Sequence, residues 1–219
     1  SHTHTVIPHP KDKGIIYIYV SGSAGVRKEM AGCVEGTDPA DETNSYYRLD
    51  VIKVPLANPE AAEVVTGARI FTGIGGAARR GGREAAASGP RNCHDVSAYP
   101  AFGLLAGACG SHGLLVDVSN PERPVRLDAA ADTNFSLWHT AVFSNDGTKL
   151  LFTDEWGGGT GPMCQATSML EMGGNTVLSI GKDRKMTQHA YFKIPTGQTA
   201  QENCVSHNGA LIPVPGRDI

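Results

Sequence analysis

HDVSAYP, at residues 94–100, has three counterparts along the chain. They align with it without gaps: HTVIPHP (4–10), HTAVFSN (139–145) and HNGALIP (207–213). Every segment begins with histidine, continues through small or apolar residues and ends at proline or asparagine. Turn-forming residues follow each segment. A motif that recurs in this way indicates an architecture built from repeated structural units.

Each repeat continues in a similar way after its turn. A second apolar run follows the first three segments: IIYIYVSG (15–22), LLAGACG (104–110) and LLFTDEWG (150–157). Further along, VPLANPEAAEVV (54–65) and VDVSNPERPVRL (116–127) share Asn-Pro-Glu between two apolar stretches. Alternating apolar residues between turn signals are typical of strands. Each unit is therefore predicted to form four short antiparallel strands.

The composition agrees with short strands and excludes some functions. The 219 residues include 27 Gly and 13 Pro, yet 40% are hydrophobic. This balance favours many strands joined by tight turns over long helices. The net charge of −3 gives no electrostatic basis for binding nucleic acid. No apolar run approaches the length of about 18 residues that a transmembrane helix needs, so no transmembrane segment is predicted.

The predicted fold is all-β: a β-propeller of four-stranded antiparallel blades, because radial repetition leaves few exposed sheet edges. Residues 1–219 are interpreted as a single propeller portion. Its units are expected at about 1–72, 93–130, 138–196 and, incomplete, 203–219, with loop insertions at 22–44 and 73–92. Propellers have about four to eight blades, so three units and a fraction cannot close a ring. We therefore expect the protein to extend past Ile219, and it could also begin before Ser1.

Most of the chain resembles a known family, and the resemblance is weakest in 22–44 and 73–91. GLLVDVSNPERPVRL (113–127), with the preceding CHDVSAYPAFGLLAGAC (93–109), resembles the repeat of LVIVD-repeat β-propeller proteins. WHTAVFSNDGTKLLFTDEWGGG (138–159) and ENCVSHNGALIPVPGRDI (202–219) resemble blades of that family's secreted bacterial members. The resemblance implies a seven-bladed propeller with about three blades and a fraction present here. It also implies export and a role at or outside the cell surface, but most members have no assigned biochemical function.

The repeated histidines are the candidate metal ligands. His4, His94, His139 and His207 occupy equivalent positions at the starts of the predicted inner strands, so they should gather at one mouth of the propeller channel. Asp95, Asp154 and Glu155 are expected near the same rim, as further ligands or as groups that orient the imidazoles. Convergent imidazoles suit a transition metal, Cu or Zn, and no other cofactor is predicted.

A structural role for the repeated histidine stays open beside the metal hypothesis. A histidine at the start of an inner strand can donate a hydrogen bond to the backbone of the neighbouring blade and join the two blades. Duplication of a structural unit would repeat such a residue without any metal. The other four histidines, which fall outside the aligned position, are interpreted as surface residues: His2, His9, His112 and His189.

The five cysteines favour an exported protein with two disulfides and one unpaired thiol, because no CxxC pair marks a structural zinc site. Cys93 begins one predicted strand and Cys109 ends the next, so a hairpin would bring them together. Cys164 with Cys204 is the second candidate pair, which leaves Cys33 to bond a segment outside this chain. Pairing of Cys33 with Cys93 is the competing assignment, and five reduced thiols in the cytosol is the alternative to export.

DEWGGGTG (154–161) is the most distinctive loop and the candidate binding loop. Trp156 could form a binding platform, and Gly157, Gly158 and Gly159 allow close approach of a ligand to the backbone. Trp156 could instead cap the end of a blade. No GxSxG or HExxH motif is present, so the catalytic residues are unknown.

The leading functional interpretation is a non-catalytic binding or scaffold module in the periplasm, at the cell surface or outside the cell. Its partner would be a protein or a larger assembly at the cell surface, with no nucleic acid. The alternative is a metal-dependent enzyme with a His-lined central channel, similar to copper-dependent oxidases built on propellers. Whether the chain is an enzyme depends on the repeated histidines.

Overall fold

The structure, a computed structural model, describes residues 3–78, 88–157, 163, 165, 167–169, 172–195, 197–212 and 214. The described residues form twelve strands and two short 3-10 turns, Pro59–Ala61 and Pro100–Phe102, and no α-helix. No helix in these ranges is long and apolar enough to span a membrane.

Three four-stranded antiparallel sheets contain all twelve strands, and each sheet follows the order of the chain. The first sheet comprises β1 (His4–Pro8), β2 (Ile15–Val20), β3 (Leu49–Pro55) and β4 (Glu63–Ala68). The second comprises β5 (Asp95–Tyr99), β6 (Leu104–Cys109), β7 (His112–Asp117) and β8 (Val125–Ala130). The third comprises β9 (Trp138–Phe143), β10 (Lys149–Asp154), β11 (Asn175–Ile180) and β12 (Met186–Phe192).

The turn residues read from the sequence form the connections between these strands. Between β9 and β10, Gly147 has φ +68°, a left-handed conformation that glycine adopts without strain. Asp146 immediately before it accepts a hydrogen bond from the backbone N–H of Thr148 at 2.9 Å. Between β5 and β6, Gly103 has φ +61° after the turn that begins at Pro100. Short turns of this kind force consecutive strands to pair antiparallel.

Two apolar cores hold the three sheets in a row. Tyr17, Tyr19 and Leu49 of the first sheet pack against Leu105 and Leu114 of the second. The opposite face of the second sheet packs against the third through a separate cluster, which includes Leu104, Ala106, Leu115, Trp138, Leu150 and Phe152. Strands β6 and β7 are therefore buried on both faces, which is why their sequences are almost continuously apolar.

A pair of hydrogen bonds recurs at three of the repeated histidines, His94, His139 and His207, and joins each of them to the preceding unit. The residue before that histidine donates its backbone N–H to the preceding unit: Cys93 to Ser21 O (3.3 Å), Trp138 to Gly110 O (2.8 Å) and Ser206 to Gly173 O (2.8 Å). The histidine's own carbonyl accepts from the preceding unit: His94 O from Thr3 Oγ1 (2.8 Å), His139 O from His94 Nδ1 (3.1 Å) and His207 O from Thr153 Oγ1 (2.6 Å). We call this pair of bonds the histidine junction.

The prediction of an all-β fold with four-stranded antiparallel sheets is confirmed. The three sheets lie within the predicted units 1–72, 93–130 and 138–196. The predicted loop 22–44 contains no strand, and residues 79–87 of the predicted loop 73–92 lie outside the described part of the chain. In the predicted fourth unit, 203–212 and 214 form no strand, although the third histidine junction attaches this segment to the third sheet.

Gly113 in β7 is required by the close packing of the second sheet on the third. A Cβ atom at this position would lie 2.5 Å from Trp138 Cζ3 and 2.9 Å from Phe152 Cζ. Trp138 and Phe152 are both fully buried, so neither ring can move aside without disturbing the core.

Gly113→Ala should therefore lower the free energy of unfolding by about 1–3 kcal/mol through overpacking. Gly25→Ala is the matched control, because a Cβ there would meet nothing within 4 Å. Urea denaturation of both variants measures the difference. Equal stability of the two variants would show that the sheets are not packed this closely.

Candidate metal centre

Three of the seven predicted ligands come together. The ligand atoms of His139, Glu155 and His207 all lie within 4.8 Å of one another, and no other group of three or more potential ligands occurs among the described residues. His139 is the second residue of β9, and Glu155 directly follows the last residue of β10. His207 belongs to the segment after the third sheet that forms no strand.

The pairing of β9 with β10 places Glu155 beside His139. The two strands are antiparallel, so the end of β10 lies next to the start of β9, with Asp154 opposite Trp138. The register shifts between Phe152 and Asp154, an irregularity that changes the direction of the side chains that follow. Glu155 is then fixed by its backbone N–H, which donates to Leu137 O at 3.1 Å.

The carboxylate of Glu155 faces one imidazole with each oxygen. Its Oε2 is 3.4 Å from His139 Nε2, and its Oε1 is 3.5 Å from His207 Nε2. Both distances exceed the value of about 2.7–2.9 Å for a charge-assisted hydrogen bond. They match the separation of about 3.4 Å between neighbouring ligand atoms on a tetrahedral ion with bonds of about 2.0–2.1 Å. The geometry thus suits an ion shared by the three side chains.

The Glu155 carboxylate is shielded from most solvent and faces two histidines. Its side chain is 13% exposed, that of His139 is 3% exposed and that of His207 is 60% exposed. No lysine or arginine in the described ranges forms an ion pair with Glu155. Buried charges in proteins are usually paired or coordinate metals. A metal ion held by the three side chains would supply the positive charge.

His94 is outside the group and has the structural role considered as an alternative. Its Nδ1 is 3.1 Å from His139 O, and because a carbonyl only accepts, Nδ1 carries the proton. The centroid of its ring lies 3.8 Å from that of His139. His94 therefore joins the second sheet to the third and supports the ring of His139 from one side.

The remaining predicted ligands also lie outside the group. His4 is exposed on β1. Asp95 Oδ2 is 3.4 Å from the backbone N–H of Ala141, a contact between the second and third sheets. Asp154 is fully buried, and its carboxylate accepts hydrogen bonds from three backbone N–H groups: Ser136 (2.8 Å), Leu137 (2.9 Å) and Gly173 (2.9 Å). The bonds from Leu137 and Gly173 fix the two backbone segments that flank Glu155.

Cys93 and Cys109 form a disulfide that closes the β5–β6 hairpin, as the positions of the two cysteines in the sequence predict. The competing pairing of Cys33 with Cys93 is wrong, since Cys33 is a free, half-buried thiol. Cys204 is also disulfide-bonded, and its predicted partner, Cys164, lies outside the described residues.

The candidate binding loop is described only in part. Trp156 is half-buried, and Gly157 has φ +83°, which favours glycine. A Cβ at Gly157 would lie 2.8 Å from Met163 Cγ, so the loop turns back onto Met163. Gly158 and Gly159 lie outside the described residues.

The surface position predicted for His112 is wrong: His112 lies away from the ligand group, buried on β7 opposite Cys109, and burial together with the charge of Arg126 lowers the pKa of its imidazole. Two residues at the site itself are not predicted from the sequence. Thr140 and Thr153 contact the candidate ligands through their hydroxyl groups. Threonine is common in strands, so nothing in the sequence distinguishes these two threonines from others.

No family model and no curated protein matches the chain. Solved structures similar to it include the following two. A functionally unknown protein from Desulfotomaculum acetoxidans is 15% identical, with a TM-score of 0.46, over 92% of this chain and 45% of that chain. A hypothetical selenium-binding protein from Sulfolobus tokodaii is 11% identical, with a TM-score of 0.48, over 93% of this chain and 46% of that chain. This chain therefore spans less than half the length of either.

Asp154→Asn should destabilise the fold, because an amide cannot accept from all three backbone N–H groups and leaves one of them unsatisfied. We expect a loss of at least about 1.5 kcal/mol in the free energy of unfolding. The exposed Asp38, which accepts one backbone N–H, provides the control Asp38→Asn. Unchanged stability of Asp154→Asn together with weaker metal binding would instead restore Asp154 as a ligand.

Proposed function

We propose that this chain is part of an exported β-propeller that holds one transition-metal ion, Cu²⁺ or Zn²⁺, on His139, Glu155 and His207. The observation that carries the proposal is the position of Glu155, whose two oxygens stand 3.4 and 3.5 Å from two imidazole nitrogens without a lysine or arginine partner in the described ranges. A metal ion would replace two long, weak contacts with three bonds and would neutralise the buried carboxylate.

The ligand set favours a centre of the catalytic type. Two histidines and one glutamate leave at least one coordination position for water or a substrate, whereas structural zinc sites use four protein ligands. His207 is 60% exposed, so small molecules can reach its side of the site. A bound ion would supply Lewis acidity at that open position. The metal-dependent enzyme is therefore the function that the geometry supports best.

Two features support a propeller as the complete fold, and with it the resemblance to LVIVD-repeat proteins. The histidine junction recurs at three successive positions, and each time the N–H before the histidine and the carbonyl of the histidine bond to the preceding unit, as radial repetition of one unit would produce. The first sheet is also apolar on both faces, as a blade between two neighbours would be. Its outer face carries a row across all four strands, Val6, Ile18, Ile52 and Val64.

Location outside the cytoplasm is supported by the buried Cys93–Cys109 disulfide. Disulfides persist in oxidising compartments and are rare in the cytosol. We propose the periplasm, the cell surface or the extracellular medium.

The second candidate function is the non-catalytic binding or scaffold module. The observation that favours it is the outer face of the first sheet, where Val6 is 47% exposed and Val64 is 65% exposed. Apolar side chains aligned across a sheet mark a surface that packs against another protein surface. In a larger assembly at the cell surface, this face would be covered by further blades or by a protein partner.

Elemental analysis of protein purified without chelators or metal-affinity chromatography tests the metal centre. Wild type should contain about one transition-metal ion per chain, and His139→Ala and His207→Ala should contain almost none. His189→Ala is the control, because His189 is an exposed histidine in the same sheet. Metal retained equally by all three variants, or absent from wild type after exposure to Cu²⁺ and Zn²⁺, would reject the centre and favour the scaffold function.

A further inference from the structure

His207 differs from the other two ligands in how it is positioned. His139 and Glu155 are fixed by the β9–β10 pair, whereas His207 lies in a segment without regular hydrogen bonding of its own. The segment nevertheless lies close against the third sheet, since a Cβ at Gly209 would be 3.0 Å from Leu151 Cδ2. Specific contacts must therefore hold the His207 backbone where its ring can reach Glu155.

Two buried threonines, one on each of the neighbouring strands, make these contacts. Thr153 Oγ1 donates to His207 O at 2.6 Å, and Thr140 Oγ1 lies 3.3 Å from the same carbonyl. The two residues are also hydrogen-bonded to each other: the backbone N–H of Thr140 donates to Thr153 Oγ1 at 3.2 Å. Thr153 is fully buried and Thr140 is 8% exposed, so water does not compete for these bonds.

Thr140 also contacts the ring of the other histidine ligand. Its Oγ1 is 2.9 Å from His139 Nδ1 and 3.3 Å from both His207 O and Asn208 Oδ1. Both of those oxygens only accept, and the Thr140 hydroxyl is in reach to donate to either of them. A hydroxyl that donates in this direction accepts from Nδ1–H of His139. In this tautomer Nε2 carries the lone pair, and Nε2 is the atom that faces Glu155 at 3.4 Å.

We propose that Thr140 and Thr153 are positioning residues of the metal centre. Thr140 selects the His139 tautomer whose Nε2 can bind a metal, and the two hydroxyl groups together hold the backbone of His207 in place. One strand pair thereby organises both imidazole ligands, including the one that lies outside the sheet. The inference rests on the proposed metal centre and adds the groups that determine its affinity.

Zinc titration of the metal-free protein tests the positioning role. Thr140→Val and Thr153→Val keep the shape of the side chain but remove the hydroxyl, and each should raise the Kd for Zn²⁺ by about tenfold to a hundredfold. Thr140→Ser keeps the hydroxyl and should bind like wild type. Thr176→Val is the matched control, because Thr176 is fully buried in the same sheet and its hydroxyl has no hydrogen-bond partner among the described residues.

Nitrogen-15 NMR of histidine-labelled protein reports which ring nitrogen of His139 carries the proton. A general loss of stability would not change this preference in the folded protein. Metal-free wild type should show His139 protonated at Nδ1, and Thr140→Val should lose this preference while its other histidine signals stay in place. Protonation of His139 at Nε2 in wild type would overturn the assigned role of Thr140.

The zinc titration distinguishes failure of the metal centre from failure of the positioning role of Thr140 and Thr153. Wild type that binds no Zn²⁺ rejects the metal centre, and the positioning role falls with it. Wild type that binds Zn²⁺ while Thr140→Val and Thr153→Val bind equally well rejects only the positioning role. Circular dichroism of each variant shows that it is folded, and Thr140→Ser keeps the test decisive if a valine variant does not fold.

Discussion

The histidine junction is the contact on which the rest of the structure depends. At three places, a backbone N–H just before a repeated histidine and the carbonyl of that histidine bond to the unit that precedes it. Side-chain packing between sheets is non-directional and would tolerate sliding, but these directional bonds fix the backbone on both sides of each histidine. The junction therefore determines where the repeated histidine lies relative to the preceding unit.

The same contact explains why the repeated histidines have different roles. In the second sheet, His94 supplies the side-chain donor of the junction, so its Nδ1–H is committed to the backbone of His139. In the third sheet, Thr140 and Thr153 supply the donors instead. His139 is thereby released from the structural role, and its Nε2 can face Glu155.

The sequence predicts more of the fold than of the site, for a physical reason. Turn residues and alternating apolar residues are local signals, so four-stranded sheets follow from them directly. The site depends on side-chain direction, which alternates along a strand and is reset by the irregularity between Phe152 and Asp154. The sequence could therefore name Asp154 and Glu155 together but could not tell that Asp154 binds backbone N–H groups and Glu155 faces the imidazoles. The Cys93–Cys109 disulfide is easier to predict from the sequence, because a hairpin determines which cysteines are neighbours.

The central claim is that His139, Glu155 and His207 bind one metal ion between them, and anomalous diffraction tests it most directly. Crystals of the protein grown with Zn²⁺ should give a single strong peak at the zinc absorption edge, within about 2.0–2.2 Å of His139 Nε2, His207 Nε2 and a carboxylate oxygen of Glu155. Absence of a peak at this position would contradict the account, as would a peak only on exposed histidines such as His4 or His189.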